Sequence, residues 1–530
     1  MAASLAIRRK IARLKGLNPP RFMDLFAGCG GISLGFATAG FELVASVESD
    51  PWAAESHGAN FASISHGKNP AAHFKARDIN EEDPASIFHD LGIRGRVDEQ
   101  VDVLVGGPPC QAYARVGRAK LRHEAHRRAE DDADIAFLVD GRVNLWQRYL
   151  HYVRETKPLA LLMENVPDIL NHGGANIAEV VADHLRDEGY IVRYTLLNAS
   201  WFGVPQTRER MFLIGVHEDV GADVFFPAPT HYTILPSGYE GTRASARKLI
   251  PAFDGFGFDN DHSHCWISDP SEGDGLPPAT TASEALADLP PIYALDLLKS
   301  GGIVRGRKDP AEPVGYTSKV PTTAWSKLMR RWPGFGADQT TGHVIRYLPR
   351  DYKIFRLMEE GWQYPEVWRF VEAKRQQLLN KQWRNGHNRA ADRERTAAIT
   401  KDWTLPYDPE KFPNKWWKLY RDKPVRTLMA HLGKDSYSHI HFDSDQARTI
   451  SVREAARLQS FPDGFVLRGS MNPAFRQVGN AVPPLVAYAI AMAMRTMIGC
   501  SAMSDIRRDL LGLNGTLGKT TGESGRRCVS

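Results

Sequence analysis

The 530-residue sequence has only five cysteines, at positions 29, 110, 265, 500 and 528. No two form a Cys-x-x-Cys pair and their number is odd, which argues against a secreted disulfide framework and for a reducing compartment. Long apolar runs are missing as well. The longest, Leu485 to Met494, is ten residues, about half of the roughly 20 needed to cross a bilayer. The cations Arg8, Arg9, Lys10, Arg13 and Lys15 are not followed by an apolar stretch, so no secretory signal is expected. Together these absences exclude a membrane partner and predict a soluble, cytoplasmic protein. A large charge of one sign is also lacking: 67 Lys and Arg against 62 Asp and Glu leave a net +5, which excludes a protamine-like tail protein.

What is present is an ordinary globular composition, 42% hydrophobic and 24% charged, long enough for a substantial core and for roughly three or four domains. The charge is unevenly placed. Residues 319–426 hold 23 Lys and Arg against 12 Asp and Glu, together with eight of the twelve tryptophans, and the remainder of the chain is acidic on balance. One basic segment on an acidic body points to a polyanion partner at that place.

After a basic N-terminal extension (1–20), residues 21–218 alternate short apolar runs with helical stretches. Phe22–Phe26, Phe41–Val47, Val101–Val105, Leu159–Met163 and Arg210–Val216 read as strands. That alternation predicts an α/β fold with a doubly wound, mostly parallel sheet covered on both faces. The rhythm stops near residue 218. Residues 227–291 are rich in Pro, Gly, Ser and Asp and read as loops or a connector. Helical stretches reappear at Val452–Gln459 and Leu485–Ile498, and 501–530 reads as a frayed end.

Two groups of residues carry chemistry. Asp24-Leu25-Phe26-Ala27-Gly28-Cys29-Gly30-Gly31 stands where a strand gives way to a helix, and its glycines permit a tight turn and close approach of a ligand. The turn does not fit Gly-x-Gly-x-x-Gly, so it is either a simple turn or a nucleotide site without the dinucleotide pattern. Glu48, twenty residues past Gly28, occupies the place from which an acid bonds ribose hydroxyls in doubly wound folds. Asp78 is placed like a third contact, near an adenine amino group. The second group begins at Gly106-Gly107-Pro108-Pro109-Cys110-Gln111, directly after a strand, which puts Cys110 at the carboxyl ends of the strands on a stiffened loop. Glu164-Asn165 leaves the next strand, and Gln206-Thr207-Arg208-Glu209-Arg210 precedes another. Singly, Glu164 could cap a helix and the arginines could form a surface ion pair; jointly, a thiol, a carboxyl and guanidinium groups converge on one sheet edge.

In this order the motifs resemble those of the C5-cytosine DNA methyltransferases, of the prokaryotic restriction-modification or defence-system type. The resemblance spans Asp24 to about Ile498. DLFAGCGG is similar to the first motif of that family, Glu48 and Asp78 to the next two, GGPPCQ to the nucleophile motif, ENV to the carboxylate motif and QTRER to the arginine motif. Arg453–Gln459 with Phe461-Pro462-Asp463 is similar to the ninth, and Gln477–Pro484 to the tenth, whose helix returns to the cofactor pocket. The resemblance implies a Rossmann-like catalytic domain (21–218) binding S-adenosylmethionine, with S-adenosylhomocysteine as product and no metal. It implies a smaller target-recognition domain (219–447) ending in the ninth motif (448–476), a returning helix (477–498) and a tail (499–530). It assigns the cofactor to Asp24, Phe26, Ala27, Gly28, Cys29, Gly30, Gly31, Glu48, Ser49, Asp78, Ile79, Pro109, Asn480, Ala481 and Val482. Catalysis falls to Cys110, Glu164, Asn165, Arg208 and Arg210, through addition of the Cys110 thiolate to C6 of a flipped cytosine.

The partner implied is double-stranded DNA, bound by a monomer in a nucleoid-associated, cytoplasmic setting, together with a restriction nuclease or defence proteins. Gln111, Arg115, Arg118, Arg426, Thr427 and Leu428 are the expected DNA contacts, with Arg330, Arg331, Trp332, Lys374, Arg375 and Lys415–Lys418 on the phosphate backbone. The stretch Arg115–Asp134, with six Lys and Arg and five Asp and Glu, reads either as a loop that closes over DNA or as a solvated insertion. Ala112-Tyr113-Ala114 departs from the family, which often has a small residue and Ser there. The Asp259, Asp261, His262, His264 and Cys265 group lacks a second ligand pair and is read as a solvated loop. A tRNA cytosine methyltransferase of the same fold, which carries a Cys-Phe-Thr stretch absent here, and a catalytically silent DNA-binding regulator are the alternatives.

Overall fold

The computed structural model describes residues 5–109, 145–172, 174–236, 243–244, 267, 269–303, 311–384, 389–433 and 437–501. Cys110, Gln111, Arg115, Arg118, the rest of the 115–134 stretch, the 259–265 group and the tail beyond 501 lie outside them.

Six strands form the central sheet: β1 (Arg21–Leu25), β2 (Glu42–Val47), β3 (Val103–Gly106), β4 (Ala160–Asn165), β5 (Tyr190–Asn198) and β6 (Glu209–His217). Their order is β2-β1-β3-β4-β6-β5. The first three pairings are parallel, and β6 runs antiparallel to both β4 and β5. Val103, Leu104 and Val105 and the run Leu161–Met163 are fully buried, as expected of strands with both faces covered by helices. Apolar clusters lie on each face. One contains Phe22, Phe36, Val103 and Leu162, and the other Met23, Leu104, Tyr149 and Met163.

The chain order places the ends of the strands. β1 sits between β2 and β3, so successive crossovers diverge there, and the carboxyl ends of β1, β3 and β4 open onto one crevice. Because β6 is antiparallel, its first residues reach that same edge, with Met211 opposite Asn165 and Phe212 opposite Glu164. The strand β5 has the half-buried alternation of an edge strand, Ile191 exposed between buried Tyr190 and Val192.

The N-terminal segment folds as a helix, Leu5–Lys15, lying against the sheet domain. Lys10 is buried there and its ammonium donates to Thr156 O (2.7 Å) and Lys157 O (2.8 Å). These carbonyls end the helix Leu145–Thr156, where a cation complements the helix dipole. Arg13 bonds the buried carboxylate of Asp102. At the other end of the chain, the helix Pro484–Met497 packs on Gly31–Thr38 and is almost wholly buried. A Cβ on Gly35 would stand 2.5 Å from Ala487 Cβ, so the glycine sets how closely these helices approach.

The basic segment does not behave as one exposed surface. A separate core of Ile345, Tyr352, Phe355, Tyr364, Trp416 and Ile440 supports the helices Tyr352–Leu357, Tyr364–Arg384 and Arg389–Asp402. Residues 282–344, by contrast, pack with the sheet cluster through Trp325, Leu328 and Trp332, and Trp332 Nε1 donates to Thr38 Oγ1 at 2.9 Å. Several expected phosphate contacts are therefore corrected. Arg330 is buried, donating to Ser318 O and Lys319 O beside Asp288. Lys418 is buried too, capping the carbonyls of Phe355 and Met358 at a helix end. Trp332 and Trp416 are core side chains. The sheet-like rhythm does return in miniature: Trp416–Lys418 pairs with Tyr437–Ile440, Val425–Arg426 with Gln206–Thr207, and Val314–Gly315 with Gln339–Thr340.

Candidate active site

A cavity of about 770 Å³ occupies the crevice at the carboxyl ends of β1, β3 and β4. Its first wall is the turn after β1. Gly28 and Gly30 have φ of 56° and 103°, values that favour glycine, and a Cβ on Gly28 would meet nothing within 4 Å, so the turn presents open backbone. Glu48, just past β2, accepts the backbone N–H groups of Gly28 (2.8 Å) and Asp50 (2.7 Å). Burial nonetheless pushes its carboxyl above the usual range. Beside it Asp50 caps the helix Pro51–Phe61 through the N–H groups of Trp52 and Ala53. Arg77, buried and paired with Glu82 and Asp90, donates its backbone N–H to Glu48 O and so fixes the segment carrying Asp78 and Ile79.

Asp24 and Cys29, both expected at the cofactor, turn into the fold. Neither Asp24, Cys29 nor Gly30 lines the cavity. Ser33 Oγ donates to Asp24 Oδ2 (2.7 Å) and lies 2.9 Å from His57 Nε2, while Ser46 Oγ lies 3.3 Å from His57 Nδ1. A single proton order satisfies the chain: Ser46 donates to His57, His57 to Ser33, and Ser33 to Asp24. Burial holds the His57 pKa down to about 3 and raises that of Asp24 to about 7. Cys29 is fully buried in the apolar cluster and its thiol is pushed well up.

The opposite wall carries the reactive groups. Glu164, at the end of β4, has Oε1 3.0 Å from Arg210 Nε. Burial raises its carboxyl pKa, and Arg210 and Arg208 pull the other way without cancelling the shift. Gly107 explains how the nucleophile motif and the carboxylate motif fit together: a Cβ there would lie 2.9 Å from Glu164 Oε2. Asn165 Nδ2 donates to Pro108 O (3.2 Å) and its Oδ1 accepts from Val166 N (2.9 Å), tying the Pro108-Pro109 turn to the end of β4. Arg208 Nη1 donates to Leu428 O at 3.0 Å. The ribbon of Gln206–Thr207 with Val425–Arg426, and Thr427 Oγ1 donating to Thr207 O (3.0 Å), bring Leu428 to this end.

The third wall comes from the end of the chain. Asn480, Ala481 and Val482 line the cavity after the helix Met471–Asn480. Val482 O would stand 2.2 Å from a Cβ on Gly31, so only glycine admits this close contact between the first turn and the returning segment. A Cβ on Gly479 would lie 2.6 Å from the backbone of Met429 and Ala430, so the Leu428–His431 loop rests directly on that helix.

Of the expected residues, Phe26, Ala27, Gly28, Gly31, Glu48, Ser49, Asp78, Ile79, Pro109, Glu164, Asn165, Arg208, Arg210, Leu428, Asn480, Ala481 and Val482 meet around one cavity. Arg426 and Thr427 stand behind its wall, with the Arg426 guanidinium 4.6 Å from the Trp417 ring. Sequence reasoning missed Asp50, Met429, His431 and Arg476, which also line it. Arg476 was available in principle, since it precedes Asn480 by four positions and so shares a helix face with it.

Comparison with known proteins agrees with this geometry. The family model for C-5 cytosine-specific DNA methylases matches residues 20–251 and 316–496. The chain is 36% identical over 487 residues to M.OihORF3336P of Oceanobacillus iheyensis, covering 91% of this chain and 97% of that protein. It is 30% identical over 501 residues to the type II methyltransferase M.AgeI of Thalassovita gelatinovora, covering 90% and 99%. A crystal structure named as a DNA modification methyltransferase of an Escherichia coli prophage superimposes with a TM-score of 0.55 at 19% identity, covering 90% and 99%, a likeness of fold.

Proposed function

The chain belongs to the C-5 cytosine-specific DNA methylases, and from that premise we propose that it methylates C5 of a cytosine flipped out of a short, specific duplex sequence, through a covalent bond between Cys110 and C6. The observation that carries this reading is that one cavity is walled at one end by the Gly28 turn and Glu48 and at the other by Glu164 and Arg210. A cofactor and a base can thus meet inside it. It fits S-adenosylmethionine: an open glycine cradle for the chain of the ligand, a buried carboxylate at Glu48 for ribose hydroxyls, and Asp78 with Ile79 for the adenine. Bound there, S-adenosylmethionine supplies an electrophilic sulfonium methyl group.

The residues then divide the work. C5 of cytosine is a weak nucleophile, and addition of the Cys110 thiolate to C6 moves the ring electrons toward C5, splitting one hard step into easier ones. As the C6–S bond forms, N3 gains basicity. Glu164, whose carboxyl holds its proton more tightly because it is buried, holds the N3/N4 edge and delivers or shares that proton. Arg210 orients Glu164, and Arg208 adds positive charge that favours the thiolate form. Asn165 holds the Pro108-Pro109 turn that leads to Cys110. After methyl transfer the C5 proton leaves, the electron pair re-forms the C5–C6 bond, and the sulfur departs as thiolate. Duplex DNA hides C6, so base flipping is required, and the stretch 115–134 is the loop proposed to close over the flipped strand. A smaller recognition domain within 219–447 reads the sequence. The biological role proposed is protection of host DNA beside a type II restriction nuclease or a related anti-phage system.

Bisulfite sequencing of DNA from cells expressing the wild type or Cys110→Ala tests the reading. New methylcytosine at one short sequence, lost in the variant, is expected. Equal methylation in both would remove Cys110 from its role, and methyl transfer to tRNA but not to DNA would replace the substrate.

A further inference from the structure

Reading the cavity as an S-adenosylmethionine site leaves one part of the ligand without a partner. The ribose and adenine have Glu48, Asp78 and Ile79, but the amino-acid head carries a carboxylate and an ammonium group that each need an opposite charge. Four arginines line the cavity among the described residues. Arg77 is buried and held by Glu82 and Asp90. Arg208 and Arg210 stand at the far end, on Leu428 O and Glu164.

Arg476 differs. It lies on the helix Met471–Asn480 one turn before Asn480, so both present themselves on one face, and both line the cavity. Its partner is Asp50, with Nη2 2.5 Å from Oδ2, and the two side chains remain 45% and 29% exposed. Asp50 is ordered independently, since its Oδ1 accepts the N–H groups of Trp52 (3.0 Å) and Ala53 (3.1 Å). Asp50 is also two residues from Glu48, whose carboxylate accepts the Asp50 N–H. An exposed ion pair of this kind contributes little to folding. At the rim of this cavity it presents one acid and one cation side by side, the complement of a zwitterion.

We infer that Arg476 binds the carboxylate of the cofactor's amino-acid head and Asp50 its ammonium group, the protein ion pair opening into two protein–ligand pairs. This rests on the cofactor reading above. Each side chain exchanges one charged partner for another, so no charge is left unpaired, and the charge-assisted bonds formed are of the strong class. Asn480, on the same helix face, adds a neutral donor and acceptor beside them.

Titration calorimetry of the full chain with two ligands tests the assignment. S-adenosylhomocysteine carries the amino-acid head, and 5′-methylthioadenosine has the same nucleoside thioether without it. Arg476→Gln is expected to weaken S-adenosylhomocysteine by about tenfold or more while leaving 5′-methylthioadenosine within about twofold. Arg476→Lys, which keeps the charge, recovers most of the loss, and Asp50→Asn repeats the selective loss. Glu48→Ala is the contrast, weakening both ligands. Arg476→Gln binding S-adenosylhomocysteine as wild type does, or losing both ligands equally, would overturn the inference while leaving the cofactor reading standing. A wild-type protein that binds neither ligand would overturn the cofactor reading itself.

Discussion

Glu164 Oε1 lies 3.0 Å from Arg210 Nε across the antiparallel pair β4 and β6. The pairing puts a carboxyl whose pKa is raised by burial beside a guanidinium that orients it without fully ionising it. In the proposed reaction the protonated form is the competent one. Activity is therefore expected to fall as pH rises through that raised value. Glu164→Gln should lower kcat by about 10²- to 10⁴-fold, leave S-adenosylhomocysteine affinity unchanged, and remove the alkaline limb of the pH–rate profile. A variant that keeps that limb would assign it to another group.

Gly107→Ala isolates the same geometry from the other side. The added Cβ would stand 2.9 Å from Glu164 Oε2, the far end of a side chain that can move. Stability should change by less than about 1 kcal/mol, while the carboxyl is displaced from the base edge. Methyl transfer is expected to drop at least tenfold by the same logic that makes small misplacements costly. Urea unfolding and single-turnover rates measure the two. A large loss of stability with normal turnover would contradict the arrangement.

Much of this was readable in advance, for identifiable reasons. Strands β1, β3 and β4 are short apolar runs ending in residues that chemistry needs, Asp24-Leu25 with the glycine turn, Gly106-Gly107, and Glu164-Asn165, so both fold and site announced themselves. The strand β5 escaped because Arg193 and exposed Ile191 break its apolar run, the mark of an edge strand. That β6 is antiparallel could not be read at all, since periodicity carries no direction, yet this is what brings Arg208 and Arg210 to Glu164. Lys418 and Arg330 were misjudged for another reason. Composition counts a lysine as surface, whereas Lys418 answers two helix-end carbonyls inside the core. Asp50 and Arg476 are separated by more than four hundred residues and meet only through packing of the two helices.

Arg457 should be the costliest single charge to remove. It joins Asp288 and Asp463, and all three side chains are fully buried. Tyr316 also donates to Asp463 at 2.8 Å. Arg457→Ala leaves two carboxylates buried without their shared cation and is expected to cost about 3–5 kcal/mol in urea unfolding. Arg9→Ala, which removes the exposed partner of Glu99, should cost no more than about 1 kcal/mol. Similar costs for the two would show that the buried triad does not hold the ninth-motif helix Val452–Leu458 in place.

His439 gives the fold a testable dependence on acid. It is fully buried, with Nε2 3.1 Å from Arg426 O and Nδ1 3.0 Å from Ser438 Oγ, so it supports the chain just before Thr427-Leu428. Burial lowers its pKa from 6.5 to about 3, and the nearby Arg426 charge pushes the same way. The folded protein therefore keeps His439 neutral while the unfolded chain takes up a proton below pH 6.5. Stability from this group is fully present above that pH and is lost progressively as pH falls toward 3. His439→Gln still offers a donor to Arg426 O but does not titrate. The variant should be the less stable protein at pH 8, and its deficit should shrink by about 1.4 kcal/mol per pH unit between pH 6 and 4. Urea unfolding of both proteins across that range measures the gap directly. Parallel curves would mean that His439 is protonated in the folded state, and hence that the Arg426–Leu428 segment is not held by a neutral imidazole.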